Sequence, residues 1–213
     1  MTLVALLAAF TFFAAACGDD DEPSAAGDTT ETTETTAPAD DAMGDSGEMA
    51  DPVGEACGEI PADGAGSSAG MAEDPTATAA SNNPLLSTLV AAVGAADLGD
   101  TLNDTSAEYT VFAPINSAFE KIDPAVVEGL TTDPAQKDAL TDILTYHVYG
   151  GGKLDIDALA EMGELEMVNG DTVEIAASGD TLEVNGESVV VCGNVTTANA
   201  TVHLIDTVLM PPS

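Results

Sequence analysis

The sequence contains no arginine and only three lysines, Lys121, Lys137 and Lys153, against 38 aspartates and glutamates. A formal charge of −35 excludes nucleic-acid binding, which relies on Lys and Arg to displace counterions from phosphate, and electrostatic docking on anionic lipid. Tryptophan is absent and aromatics make up 4% of the 213 residues, so no stacking platform for bases or sugars is expected. Cysteine occurs three times, at Cys17, Cys57 and Cys192, and an odd count needs an explanation beyond simple pairing. Long hydrophobic runs are missing too. Leu3 to Ala16, LVALLAAFTFFAAA, has 14 residues, short of a comfortable bilayer span.

That run has the length of a signal-peptide core and ends in small residues. Cys17 follows it, then Gly18 and the acidic run Asp19 to Glu22. Small-small-Cys after such a core resembles a bacterial lipobox, in which the Cys thiol is lipidated and becomes the mature N-terminus. Ala14 stands where Leu is commonest, and no positive residue precedes the core; a start site upstream of Met1 accounts for the second departure. The alternatives are an ordinary secretory signal or a buried helix. Lipidation of Cys17 leaves Cys57 and Cys192 as an even pair in an oxidising compartment, where a disulfide is expected.

Residues 18–56 are rich in Thr, Asp, Glu, Gly and Pro and carry almost no large apolar side chains, so they bury too little surface to offset the entropy of ordering. As a neutral coil such a segment spans about 35 Å, and self-repulsion extends it. Its Thr-rich part reads equally as an O-glycosylated stalk or a bare linker. The resulting division is a lipoprotein-type signal peptide at 1–16, a disordered acidic tether at 17–56, a disulfide-pinned extended lead-in at 57–70 and a folded domain at 71–213.

Within the domain, Leu85, Leu86, Leu89, Val90 and Val93 recur at helical spacing after Pro84. Tyr109 to Ala113 reads as a strand, and Asn116 to Ile122 as a short helix capped by Asn116. Asp123-Pro124 and Asp133-Pro134 each open a helix, the second running to about Tyr146 with Leu140, Ile143, Leu144 and His147 on one face. Gly150 to Gly152 break the chain, and a short helix follows at 155–162. Short apolar runs then alternate with the turn dipeptides Asn169-Gly170, Ser178-Gly179 and Asn185-Gly186. Helices first and strands later predict an α+β domain with one core.

Three ordered blocks carry a family likeness. Tyr109 to Phe119 (YTVFAPINSAF) resembles the first signature block of fasciclin domains, Ile143 to Val148 their central Tyr-His motif, and Val202 to Pro211 their closing block. The likeness covers about residues 84–212. Ser81 to Pro84 (SNNP), Val190 to Gly193 (VVCG) and the ending from Thr197 are similar to single-domain, secreted or lipid-anchored fasciclin proteins of mycobacteria. The resemblance implies a β-wedge or sandwich of short strands with helices packed beside it, and an extracellular role in adhesion or protein and matrix interaction. It also implies that Tyr146 and His147 are candidate interaction residues, since this segment has been linked to receptor binding in several animal members.

Each candidate has a plain structural counterpart. His147 lies three residues after Leu144 and four after Ile143, on the buried face of its helix. Tyr146 falls about 100° away, where its ring is expected to cover the core rim with its hydroxyl in water, which makes it the better candidate for a partner contact. Asn116, His203 and Asp206 are read as structural motif residues, Asp206 as a hydrogen-bond acceptor. No closely spaced metal-ligand set exists, so neither a metal nor a cofactor is expected. Gly66 to Gly70 formally matches GxSxG but lacks the strand before it that a nucleophile elbow requires. No activated nucleophile or acid–base constellation is visible, so no catalysis is expected. Asn103, Asn194 and Asn199 sit in sequons and are read as turns and strand edges.

The leading expectation is an extracytoplasmic lipoprotein, anchored through Cys17 and in part released, whose domain mediates cell adhesion by binding an extracellular or cell-surface protein. The alternative is an envelope lipoprotein that binds or senses a small lipid-like molecule.

Overall fold

The structure, a computed structural model, describes residues 51–179 and 181–212. The signal core, Cys17 and the tether up to residue 50 lie outside the described residues. The helices are α1 (Ser68–Glu73), α2 (Thr76–Asn82), α3 (Ser87–Ala95), α4 (Gly99–Leu102), α5 (Asn116–Glu120), α6 (Pro124–Thr132), α7 (Lys137–Tyr146) and α8 (Ile156–Met162). The strands are β1 (Tyr109–Pro114), β2 (Val148–Tyr149), β3 (Glu164–Glu166), β4 (Thr172–Ser178), β5 (Thr181–Val184), β6 (Ser188–Thr196) and β7 (Ala200–Ile205).

Local chemistry sets many of these boundaries. Asp123 and Asp133 accept from the backbone N–H groups of Ala125 and Ala135, each just beyond a proline that needs no partner. Asp155 caps α8 through the Ala158 N–H, and Gly163, at φ 70°, ends it in the left-handed conformation. Ser67 caps α1 through the Gly70 N–H, so the GxSxG match is a helix start.

The strands form one sheet in the order β2-β1-β7-β6-β5-β4-β3. β1 runs parallel to β7, with Val111 opposite Val202, and every other pair is antiparallel. The Val168 N–H, just beyond β3, donates to the Val148 carbonyl of β2 at 2.9 Å, so the sheet nearly closes on itself. This is an α+β fold.

β1 and β7 are buried on both faces, and each face has its own core. On one side Val111, Ala113, Val195, Ala200, Val202 and Leu204 meet α2, α3 and α7. On the other, Phe112, Ile205, Val190, Val184, Val173 and Leu165 pack with Leu159 of α8. The two differ in grain. The helical side holds Ala79, Ala92, Ala96, Ala113 and Ala200, whereas the second contains no alanine among its buried members.

Three expectations are corrected. Residues 57–70 are not an extended lead-in: a 3₁₀ turn covers Glu55–Glu59 and α1 begins at Ser68. The tether does not run to residue 56, because Val53 already exchanges both backbone hydrogen bonds with Gly193 of β6. Gly54 permits that approach, since a Cβ there would strike the Val191 carbonyl. Asn116 does not cap the helix it begins. It reaches across to α3, accepting from the Thr88 N–H at 3.0 Å, because Leu86 at that helix start has no side chain that accepts.

Cys57 is disulfide-bonded to Cys192, with Cα atoms 5.0 Å apart and a sequence separation of 135. The chain-entropy account of so long a loop sets a ceiling of about 5 kcal/mol. We expect reduction to lower the Tm and to make residues 51–74 the first protease-sensitive segment. An unchanged Tm and cleavage order would show that the Val53–Gly193 bridge and α1 hold the strap unaided.

Candidate functional site

The Tyr-His segment sits where α7 ends against the sheet. His147 is buried, and both ring nitrogens are engaged. Nδ1–H donates to the Ile143 carbonyl at 2.7 Å, and Nε2 accepts from the Leu209 N–H at 3.0 Å. Its own carbonyl accepts from the Phe112 N–H at 2.9 Å. One residue thereby joins α7, β1 and the segment after β7.

Tyr146 is placed otherwise than its sequence position suggests. It is 2% exposed and belongs to the core of Phe112 and Leu159. Its hydroxyl donates to the Thr172 carbonyl and accepts from the Asn185 side chain at 2.8 Å. The expected rim position with the hydroxyl in water is therefore corrected. The sheet nearly closes past the end of α7, so a side chain turned 100° from Leu144 enters the second core instead of solvent. Neither Tyr146 nor His147 presents its side chain to a partner in this conformation.

The Gly150–Gly152 break is held by the same sheet. Thr110 of β1 donates to the Gly152 carbonyl and accepts from the Leu154 N–H. His203 Nε2–H donates to the Leu154 carbonyl at 3.0 Å, and the ring lies 5.8 Å from that of Phe112. Asp206 closes the far end of β6 and β7, accepting from the Val189 N–H and pairing with Lys121 at 2.9 Å. Burial pushes the Asp206 carboxyl up, but the Val189 N–H, Lys121 and Thr207 together hold it below the ordinary value. Among the described residues no three His, Cys, Asp or Glu side chains gather as metal ligands.

Asn199 is a junction that the sequence reading missed. Buried at the start of β7, its Oδ1 accepts from the Thr76 N–H and hydroxyl at the head of α2. Its Nδ2 donates to the Leu102 and Asp104 carbonyls at the end of α4. A sequon hid it: only its place between Ala198 and Ala200, entering an apolar strand, signals a buried amide. Asn194 is buried as well and bonds the Ile156 N–H, so these two asparagines serve backbone groups.

A cavity of about 230 Å³ lies between the helical layer and the β1–β7 face, walled by Ala79, Leu89, Val93, Val111, Leu144 and Val202 among others. The helices facing it set small side chains such as Ala79 and Ala80 beside Leu86, Leu89 and Leu144, whereas the opposite core has no alanine among its buried members. Periodicity reports which residues face inward but not whether their volumes fill the space, so the cavity is not legible from the residues alone.

The two histidines predict an acid response. Burial lowers both from 6.5 to about 4. The unfolded chain therefore takes up protons that the folded one refuses as pH falls from about 6.5 to about 4. Each histidine removes up to about 1.4 kcal/mol of stability per pH unit in that window and nothing further below it. We expect His147→Ala to cost about 1–3 kcal/mol near neutral pH, by leaving the Leu209 N–H and Ile143 carbonyl unserved. Its stability gap to the parent should shrink as pH falls through the window; a gap independent of pH would show that His147 is already charged in the fold. Tyr146→Ala should cost about 3–5 kcal/mol, as for other large aromatics removed from a core, and a Tm unchanged by it would refute the buried placement.

The comparisons with known proteins agree with this architecture. The Fasciclin domain family model matches residues 84–211. The cell surface glycolipoprotein MPB83 of Mycobacterium bovis is 45% identical over 181 residues, 78% of this chain and 76% of that protein. The immunogenic protein MPT70 of Mycobacterium tuberculosis is 44% identical over 171 residues, 76% of this chain and 84% of that one. The FAS1 domain pair of the insect cell adhesion molecule fasciclin I superposes with a TM-score of 0.60 at 16% identity, covering 66% of this chain and 52% of that chain, and speaks for the fold alone. With its two signature blocks, its Tyr-His helix end and its nearly closed sheet, the chain belongs to the fasciclin domain family.

Proposed function

We propose that this protein is a cell-surface lipoprotein, anchored through Cys17, whose fasciclin domain binds an extracellular or cell-surface protein in adhesion. The observation that carries the reading is its similarity to a cell surface glycolipoprotein across three quarters of both chains. The Cys57–Cys192 bond supports it, because a disulfide persists in an oxidising compartment. No helix among the described residues is long and apolar enough to cross a membrane, so an anchor of another kind is consistent with surface retention. A single acyl chain holds a protein weakly, and stable retention requires the several chains of a bacterial lipoprotein.

The burial of Tyr146 and His147 bears on how such a partner is recognised. Their side chains are spent on the fold, so a partner reads the surface they support. A domain with 21 carboxylates in residues 75–213 and three lysines favours a basic partner, whose approach weakens with salt.

Cys17→Ser tests the anchor. The parent should partition into detergent with acyl mass on Cys17, and the variant should leave the membrane fraction. A mature chain that begins elsewhere, or lacks acyl groups, overturns it. Capture of envelope and matrix proteins on the immobilised domain tests the partner; saturable, salt-sensitive binding of a protein is the expected result, and binding of none overturns it.

A further inference from the structure

The cavity on the helical side of the sheet has no part in displaying the domain, and its chemistry selects an occupant. No lysine lies among its walls, and the chain has no arginine. Lys121 and Lys137 pair with Asp206 and Asp97, and Lys153 donates to the Thr197 and Ala198 carbonyls. A carboxylate or phosphate head entering it would meet no counter-charge inside and a surface of the same sign outside.

The buried polar groups of its wall are already satisfied, and the hydroxyl-bearing Thr101 and Tyr109 stand at its solvent-facing edge. Thr76 and Thr197 bond each other, and Thr76 also bonds Asn199. Thr145 donates to the Thr141 carbonyl, and His147 uses both ring nitrogens. Among the described residues no buried side-chain nitrogen or oxygen lacks a partner. A water molecule needs two or more polar partners to settle in such a place, so the deep part of the cavity suits an apolar guest better than ordered water.

It is also open to entry. Leu98, Leu102, Tyr109 and Thr145 are half-buried members of its wall, and Val168 is 52% exposed. Deeper wall residues such as Ala79 are sealed from solvent, so the occupant is engulfed instead of laid across a surface.

We propose that this cavity binds a neutral, apolar small molecule. An engineered cavity of about 150 Å³ takes benzene, so by proportion the guest has about nine or ten carbon atoms. This inference stands apart from the adhesion reading, because it needs neither a membrane nor a protein partner.

The chain from residue 18 onward, which includes every described element and carries no acyl group of its own, is titrated with decanol and with decanoate near neutral pH by calorimetry. Saturable one-to-one binding of decanol, with decanoate weaker by about tenfold or more, is expected. No saturable binding, or decanoate binding as well as decanol, overturns the proposal. Ala79→Leu fills the cavity and should weaken decanol binding by a similar factor without lowering the Tm; undiminished binding places the ligand elsewhere and overturns it. Should that variant fail to fold, the parent's methyl resonances decide. Decanol should shift Leu89, Val111 and Val202 and leave Leu165, Val173 and Leu182 unmoved, and the reverse pattern overturns the assignment.

Discussion

The parallel pairing of β1 with β7 is the constraint on which the rest of the domain depends. It joins segments about ninety residues apart in sequence and buries both faces of both strands. Such a pair cannot be made by a hairpin, and its ends leave backbone groups with no water to serve them. Polar side chains that look functional in the sequence meet that need. Asn199 receives the Tyr109 N–H on its carbonyl and secures α2 and α4 with its amide. Asp206 finishes the other end against Val189, and the Ile115 N–H donates to the Ile205 carbonyl. His147 and His203 fasten the flanking loops to the pair from opposite sides. The signature blocks of the family are thus the two strands of one pairing together with the residues that close its ends.

This explains why the Tyr-His motif invites two readings. A buried histidine that donates through one nitrogen and accepts through the other must be neutral and must hold one tautomer, and those demands fix its position as firmly as binding a ligand would. Tyr146 joins two elements through a hydroxyl that both donates and accepts. Losing either residue would loosen the end of α7 and the surface above it. A variant that abolished recognition would then report on the support of that surface before it reported on contact.

The α+β class and most elements were legible in the sequence because period and punctuation agree there. The Asp-Pro pairs, the Asn-Gly turns and the Leu85 to Val93 stripe each have one local meaning. β2 was not legible: two residues carry no period, and Val148–Tyr149 is a strand only because β1 lies beside it. The strap at 51–60 escaped for a similar reason. Its polarity matches the tether before it, and it is fixed by Gly193 and Cys192, which lie far along the chain. The cap of Asn116 was misassigned because sequence shows only the helix a residue begins, whereas the unserved N–H groups it satisfies belong to α3. In the candidate site, the buried face of His147 could be read from its spacing to Leu144. The fate of Tyr146 could not, since it turns on where a sheet closes.

The two sides of the sheet also divide the demands of stability and capacity. Large side chains close-pack the Phe112 side, where Leu159, Leu165, Leu182 and Ile205 are sealed from solvent. Burial of one face of strands as short as β3 and β5 fixes their register, since a one-residue slip would turn Leu165, Leu182 and Val184 out to solvent. The helical side is built from short segments rich in alanine, which let helices approach one another closely but leave the β1–β7 face incompletely covered. The disulfide and the Val53–Gly193 bridge fasten β6, the neighbour of β7, from the N-terminal side. Both ties act on the strands, so an apolar guest taken up against the helices would leave the pairing that holds the domain together in place.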